Sequence, residues 1–125
     1  MRPRVRLANL LLDLGRSIIA LAPMVMRPDD LVALGAETYS QPDEVAHWSS
    51  EEVLSEGLHP LETSLLEQIT VKSGQLLVLG VGGGREAIAL ARLGFDVTGV
   101  DFLGAMVRNA VENAARQGVR LKGLV

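Results

Sequence analysis

The sequence predicts an α/β protein in which a parallel β-sheet follows a helical N-terminal region. Residues 75–125 alternate short apolar runs with helix-forming segments, in the order strand, helix, strand, helix, strand. Residues 1–72 instead show helix-like patterns separated by proline and glycine. Because crossovers of the strand–helix–strand kind build parallel sheets, we divide the chain into a helical region, residues 1–72, and a sheet-forming domain, residues 73–125.

Composition excludes several classes of function. The 125 residues suffice for one domain, and 48% apolar with 22% charged residues fits a folded chain. A net charge of −3 and an aromatic content of 3% argue against a nucleic-acid partner. Without cysteine there is no disulfide, thiolate metal site or cysteine nucleophile, and a cytoplasmic location is expected. His47 and His59 are too few and too far apart to suggest a zinc site, so no metal is expected.

The first apolar segment has the spacing of an amphipathic helix. Its apolar residues recur at steps of three and four, at Leu7, Leu11, Leu14, Ile18 and Leu21. Pro23 and Pro28 are predicted to close this helix, because proline lacks the N–H that a helix needs. We expect the helix to pack against the rest of the protein or against a partner.

A second interpretation of this segment stays open. Arg2, Arg4 and Arg6 precede it, and residues 20–22 resemble a cleavage site, so a signal peptide or a membrane-surface helix is the alternative. Asp13 and Arg16 interrupt the apolar run. Since no stretch approaches the roughly 18 apolar residues that cross a bilayer, we predict no transmembrane segment.

Proline and capping residues predict two later helix starts. Ser49, followed by Glu52, has the spacing of a capping box. Pro60 suits a first helical position, which leaves His59 at the cap and Glu62 in the first turn.

The sheet-forming domain begins with a short apolar run and a glycine-rich turn. Residues 76–79 are uninterrupted Leu-Leu-Val-Leu, which is typical of a strand covered on both faces. The turn Gly80-Val81-Gly82-Gly83-Gly84 follows, and then a helix that Gly94 should end in a left-handed conformation. The next strand contains Phe95, Val97 and Val100 and ends at Asp101.

A second helix and a third strand complete the pattern. The helix is predicted over residues 103–117, with Gly118 stopping it. Its inward-facing residues should be Met106, Ala110, Val111 and Ala114. Val119, Leu121 and Val125 alternate with other residues as the third strand opens.

The glycine turn and Asp101 together predict a nucleoside site. Glycine lets a ligand approach the backbone closely, and the following helix favours an anion at its N-terminus. Because neighbouring parallel strands end at the same edge of a sheet, the Asp101 carboxylate can accept hydrogen bonds from both hydroxyls of a ribose.

This segment, VLGVGGGREAIALARLGFDVTGVD, resembles the first motif and second strand of class I S-adenosylmethionine-dependent methyltransferases. Gly80, Gly82 and Gly84 match the glycines of the family's loop, Asp101 its ribose-binding acid, and Phe102 the apolar residue that packs on adenine. The resemblance covers about residues 57–125. It implies a Rossmann-like parallel sheet, S-adenosylmethionine as the cofactor, and methyl transfer to an acceptor that the sequence does not name.

Two departures from the family pattern stand out. Val78 occupies the position two before Gly80, where the family usually carries an acid that orients the loop and the cofactor's amino group. Glu86 is the candidate substitute. The resemblance also implies seven strands, of which this chain holds the first three, so we expect a fragment that is not active alone. The open edge of the first strand would allow self-association.

The resemblance assigns no catalytic residue, because an activated sulfonium needs mainly in-line positioning of donor and acceptor. Two alternatives stay open. The residues Gly82, Gly84 and Ala87, with Asp101 near the usual spacing of about 20, also fit the fingerprint of an NAD(P)- or FAD-binding oxidoreductase. A non-catalytic interaction scaffold is the other. Four upstream residues are candidates for a lid or for ordinary packing: Tyr39, Trp48, His59 and Glu62.

Overall fold

The computed structural model describes residues 3–125, apart from the side chain of Ala22, so Arg2 lies outside the described residues. The chain forms two compact units, Met1–Gly35 and Ala36–Val125. The predicted division at residue 72 stays a prediction. The helices are α1 (Pro3–Val25), α2 (Pro28–Tyr39), α3 (Pro42–Trp48), α4 (Glu51–Ser55), α5 (Pro60–Gln68), α6 (Arg85–Arg92) and α7 (Gly104–Arg116), and the strands are β1 (Gly74–Leu79), β2 (Phe95–Val100) and β3 (Lys122–Leu124).

Helix α1 ends between the two prolines that were predicted to close it. It continues through Pro23 and ends at Val25. Pro23 removes one N–H···O=C hydrogen bond of the helix, and the helix ends two residues later. With 23 residues, α1 is long and apolar enough to cross a membrane by length and composition. The prediction of no transmembrane segment stays a prediction, because it depended on Asp13 and Arg16, which interrupt the apolar run, and length and composition alone do not place a helix in a membrane.

The sheet is parallel, as predicted, and its strand order is β1-β2-β3. In the register of β1 and β2, Leu79 lies opposite Val100, and β3 places Leu124 beside Val100. The three strands therefore end at one edge. This register brings the turn after Leu79 next to Asp101, the residue after Val100.

The core lies on one face of the sheet. Both crossovers advance in the same direction across the sheet, which puts α6 and α7 on the same side. Val97 of β2 is buried beneath these helices, whereas Leu77 and Leu79 of β1 are 59% and 76% exposed. The prediction that β1 is covered on both faces was wrong, because α6 and α7 cover only one of them. The core cluster consists of Leu54, Val81, Ala87, Ile88, Val97, Val107, Ala110, Ala114 and Leu121.

Helix α7 buries a slightly different stripe from the predicted one. Met106, Ala110 and Ala114 are buried as expected, but Val111 is 36% exposed and Val107 is buried instead. At about 100° per residue, Val107 lies closer than Val111 to the direction of Ala110.

The helix ends follow the predicted chemistry in most places. Gly94 and Gly118 take positive φ angles of 99° and 74° after α6 and α7. Helix α5 begins at Pro60, and the His59 N–H donates to the Glu62 carboxylate at 2.7 Å. The cap of α4 is Ser50 rather than Ser49, since the Ser50 hydroxyl accepts from the Val53 N–H at 3.3 Å.

Candidate functional site

The turn between β1 and α6 needs glycine at the three positions that match the family's loop. Gly80, Gly82 and Gly84 have φ angles of 70°, 51° and 103°. Other residues rarely adopt this left-handed region, because their Cβ approaches the carbonyl oxygen. The backbone therefore turns sharply where β1 ends, and its surface at Gly80 and Gly82 is free of side chains.

Asp101 connects the two strand-end loops. Its Oδ2 accepts the Gly82 N–H at 3.0 Å, and its Oδ1 accepts the Leu103 N–H at 3.0 Å. The residue is only 8% exposed. Each carboxylate oxygen has a second lone pair, so a diol can still bind after both backbone hydrogen bonds are made. The backbone thus holds the carboxylate in one orientation before any ligand arrives.

A mostly apolar cavity of about 240 Å³ opens in front of Asp101. Gly80, Gly82, Asp101 and Phe102, which the sequence grouped as one site, all line it. The structure places Gly84 differently: it lies against α7, where a Cβ would come within 3.3 Å of Ala110. Gly84 therefore serves close helix packing. The remaining lining residues are Tyr39, Trp48, Leu103 and Met106.

A second, more polar cavity of about 480 Å³ adjoins the first. The two share Trp48, Gly80 and Gly82, so one cleft continues across the glycine turn. Its charged lining includes Glu56, Glu86 and Arg85, and the others are His47, Val53, His59, Val81 and Gly83. Two of the predicted lid residues, Tyr39 and Trp48, thus lie at the apolar cavity, and Trp48 and His59 lie at the polar one.

Arg85 is the centre of a charged network at the start of α6. Its guanidinium donates to both oxygens of Glu62, at 3.0 Å and 2.8 Å, and also binds Glu86 and the Gly57 carbonyl. The Arg85 side chain is only 11% exposed. This contact lowers the pKa of Glu62 to about 2 and raises the pKa of Arg85. Glu62 therefore links α5 to α6 instead of covering the cleft as a lid, and its carboxylate neutralises the charge of Arg85.

Two functional contacts escaped the sequence analysis. A Cβ on Gly83 would lie 2.0 Å from the Trp48 carbonyl oxygen, so α3 approaches the turn as closely as glycine permits. Asn113, 1% exposed, donates to the Gly83 carbonyl at 2.8 Å. The sequence feature that could have indicated this hydrogen bond is the asparagine itself, which stands among alanines on the buried face of α7. Among residues 3–125, no cluster of three or more His, Asp or Glu side chains could hold a metal ion.

We predict that Glu62→Gln removes an acid-sensitive part of the stability. The pKa of Glu62 is about 2 in the folded chain, against 4.5 as the ordinary value. Because the folded pKa is the lower one, the contribution is complete above about pH 4.5 and disappears as the pH falls towards 2. The variant should unfold about 1–2 kcal/mol more easily at pH 7, and the difference from wild type should shrink towards pH 2 in urea titrations.

The control for this experiment is Glu67→Gln, which changes an exposed acid of the same helix. It should match wild type at both pH values. A deficit for Glu62→Gln that stays constant from pH 7 to pH 2.5 would contradict the ion pair.

The fold is similar to that of S-adenosylmethionine-dependent methyltransferases. A Methanococcus maripaludis protein, proposed to be such a methyltransferase, superposes with a TM-score of 0.58 at 20% identity, over 66% of this chain and 40% of that one. A second solved structure belongs to a protein of echinomycin biosynthesis, described by the conversion of a disulfide bond into a thioacetal group. It gives a TM-score of 0.49 at 27% identity, over 56% of this chain and 30% of that one. No family model and no curated protein matches the sequence.

The similarity to the Methanococcus maripaludis protein agrees with the architecture. The three parallel strands with their preceding helices are a partial Rossmann-like, methyltransferase-like fold, as predicted. The chain spans less than half the length of either solved structure.

Proposed function

We propose that the cleft binds S-adenosylmethionine and that the chain provides the cofactor-binding part of a methyltransferase. The observation that carries this proposal is the charge of the polar cavity. Two carboxylates, of Glu56 and Glu86, line this cavity. The guanidinium group in its lining, that of Arg85, is already bound to the carboxylates of Glu62 and Glu86, so the cavity has an excess of negative charge. Such a cavity attracts the ammonium and sulfonium groups of S-adenosylmethionine and repels the diphosphate of a dinucleotide.

The proposed binding mode follows the two cavities. Asp101 accepts hydrogen bonds from the ribose hydroxyls with the lone pairs that the backbone leaves free, and Phe102 packs on the adenine. The methionine end crosses Gly80 and Gly82 into the polar cavity. In this binding mode Glu86, which lines the polar cavity, lies near the ammonium group of the cofactor. Val78 packs partly buried against the core and offers no charge to that ammonium group.

In this proposal the residues of the chain bind and orient. A sulfonium supplies a methyl group that is already activated, so the protein's contribution is to hold it in line with an acceptor. Tyr39 and Trp48 line the apolar cavity and would limit the entry of water. The transfer of the methyl group to an acceptor is proposed for the whole methyltransferase, of which this chain provides the cofactor-binding part.

We expect S-adenosylhomocysteine to bind the chain and NADH and FAD to show no binding at the same concentrations. Trp48 is the only tryptophan and lines both cavities, so its fluorescence should change on binding. Calorimetric titration gives the affinity independently. Heat with NADH or FAD and none with S-adenosylhomocysteine would favour an oxidoreductase. If a longer polypeptide that contains this chain binds S-adenosylhomocysteine but methylates no acceptor in a broad screen, the interaction scaffold would be favoured.

A further inference from the structure

Helix α1 exposes apolar side chains around most of its circumference. At about 100° per residue, its polar side chains fall within an arc of about 100°, apart from Arg4 near the N-terminus. These polar residues are Arg6, Asn9, Asp13, Arg16 and Ser17. The other arc carries eight large side chains that are 56–73% exposed: Leu7, Leu10, Leu11, Leu12, Leu14, Ile18, Ile19 and Leu21. An apolar surface of this extent needs an apolar environment.

The charge of α1 is opposite to that of the whole chain. Pro3–Val25 carries Arg4, Arg6 and Arg16 against a single acid, Asp13, whereas the chain as a whole has a net charge of −3. A basic helix with a broad apolar arc complements a lipid surface that presents anionic headgroups.

Two charged residues decide between crossing a membrane and lying on it. A helix of 23 residues is about 34 Å long, which suffices for a hydrocarbon core of about 30 Å. Asp13 and Arg16, which pair at 3.5 Å, lie halfway along α1. A crossing helix would bring both to the bilayer centre, where charges are costly. A helix in the membrane plane keeps both at the headgroups.

The extent of the apolar arc favours lipid over a protein partner. One protein surface contacts mainly one side of a helix, whereas the apolar arc of α1 exceeds half of the circumference. Lipid chains adapt to the helix and cover it up to the polar arc.

We propose that α1 lies in the plane of an anionic membrane surface, with its polar arc at the headgroups and its leucines among the acyl chains. The proposal is independent of the cofactor. It assigns a role to the one long apolar helix in residues 3–125, which the cleft does not use.

The test is sedimentation of the full 125-residue chain with vesicles of phosphatidylcholine, with and without one third phosphatidylglycerol. Leu11→Lys and Asn9→Lys add the same charge at positions about 160° apart on α1. Leu11→Lys should weaken binding to the anionic vesicles at least tenfold, because a leucine leaves the acyl chains. Asn9→Lys should bind as well as wild type or better.

Circular dichroism checks that the variants keep their helices, and Ile18→Lys, on the same apolar arc, repeats the test. The proposal is overturned if wild type does not bind anionic vesicles, or if both substitutions weaken binding equally. It is also overturned if alkaline carbonate fails to release the chain, which indicates a crossing helix, or if the expressed chain is cleaved after residue 22, which indicates a signal peptide. A dimer that Leu11→Lys dissociates, without vesicle binding, would identify a second copy as the occupant.

Discussion

Asp101→Ala is expected to weaken S-adenosylhomocysteine binding about a hundredfold or more. In the proposed complex the carboxylate accepts both ribose hydroxyls, and each hydrogen bond to a charged group contributes about 1.5–3 kcal/mol. The substitution also releases the N–H groups of Gly82 and Leu103, which now bind Asp101 at 3.0 Å each. The loop would then lose its fixed orientation. Calorimetric titration, with Trp48 fluorescence as a second readout, measures the loss.

Two further variants separate the charge of Asp101 from its position. Asp101→Asn keeps the size of the side chain but has only one accepting oxygen, so it should bind at least tenfold more weakly than wild type. Asp96→Asn removes an exposed acid of β2, the strand that precedes Asp101, and should leave binding unchanged; its partner Lys122 lies at 2.8 Å. An Asp101→Ala variant that stays folded and binds within twofold of wild type would rule out the ribose assignment.

Gly83→Ala should destabilise the Ala36–Val125 unit by about 2–3 kcal/mol. Its Cβ would lie 2.0 Å from the Trp48 carbonyl oxygen and 2.8 Å from the Ser49 Cα. Both are backbone atoms, so no side-chain rotation relieves the contact, and α3 must move away from the turn. Urea unfolding followed by Trp48 fluorescence measures the loss.

Gly104→Ala is the matched control, because it adds the same methyl group in the same unit. Its nearest atom would be the flexible Arg108 Nη1 at 3.5 Å, so the free energy of unfolding should stay within about 0.5 kcal/mol of wild type. If Gly83→Ala were as stable as Gly104→Ala, the close packing of Trp48 on the glycine turn would be contradicted.

Short-range chemistry made much of the fold predictable from the sequence. The stop signals at Gly94 and Gly118 and the start at Pro60 depend on residues within one turn of each other. The proximity of the glycine turn to Asp101 followed from the rule that neighbouring parallel strands end at the same edge of a sheet. The role of Asp101 as a ribose ligand stays a prediction.

The errors have physical causes as well. Four consecutive apolar residues in β1 do not determine whether one or both faces of the strand are covered. In the structure α6 and α7 cover one face of the sheet, and Leu77 and Leu79 are exposed on the other. Pro23 removes one hydrogen bond of α1 without ending the helix, which extends to Val25.

The sequence by itself determined where the chain turns and which residues reach the common edge of the strands, because glycine conformation, helix capping and side-chain periodicity act over a few neighbouring residues. Only the tertiary structure decided that Glu62 neutralises Arg85, that Asn113 holds the Gly83 carbonyl, and that Trp48 lies against the turn. These contacts join residues 20 or more positions apart, and packing in three dimensions, rather than any local pattern, selects such partners.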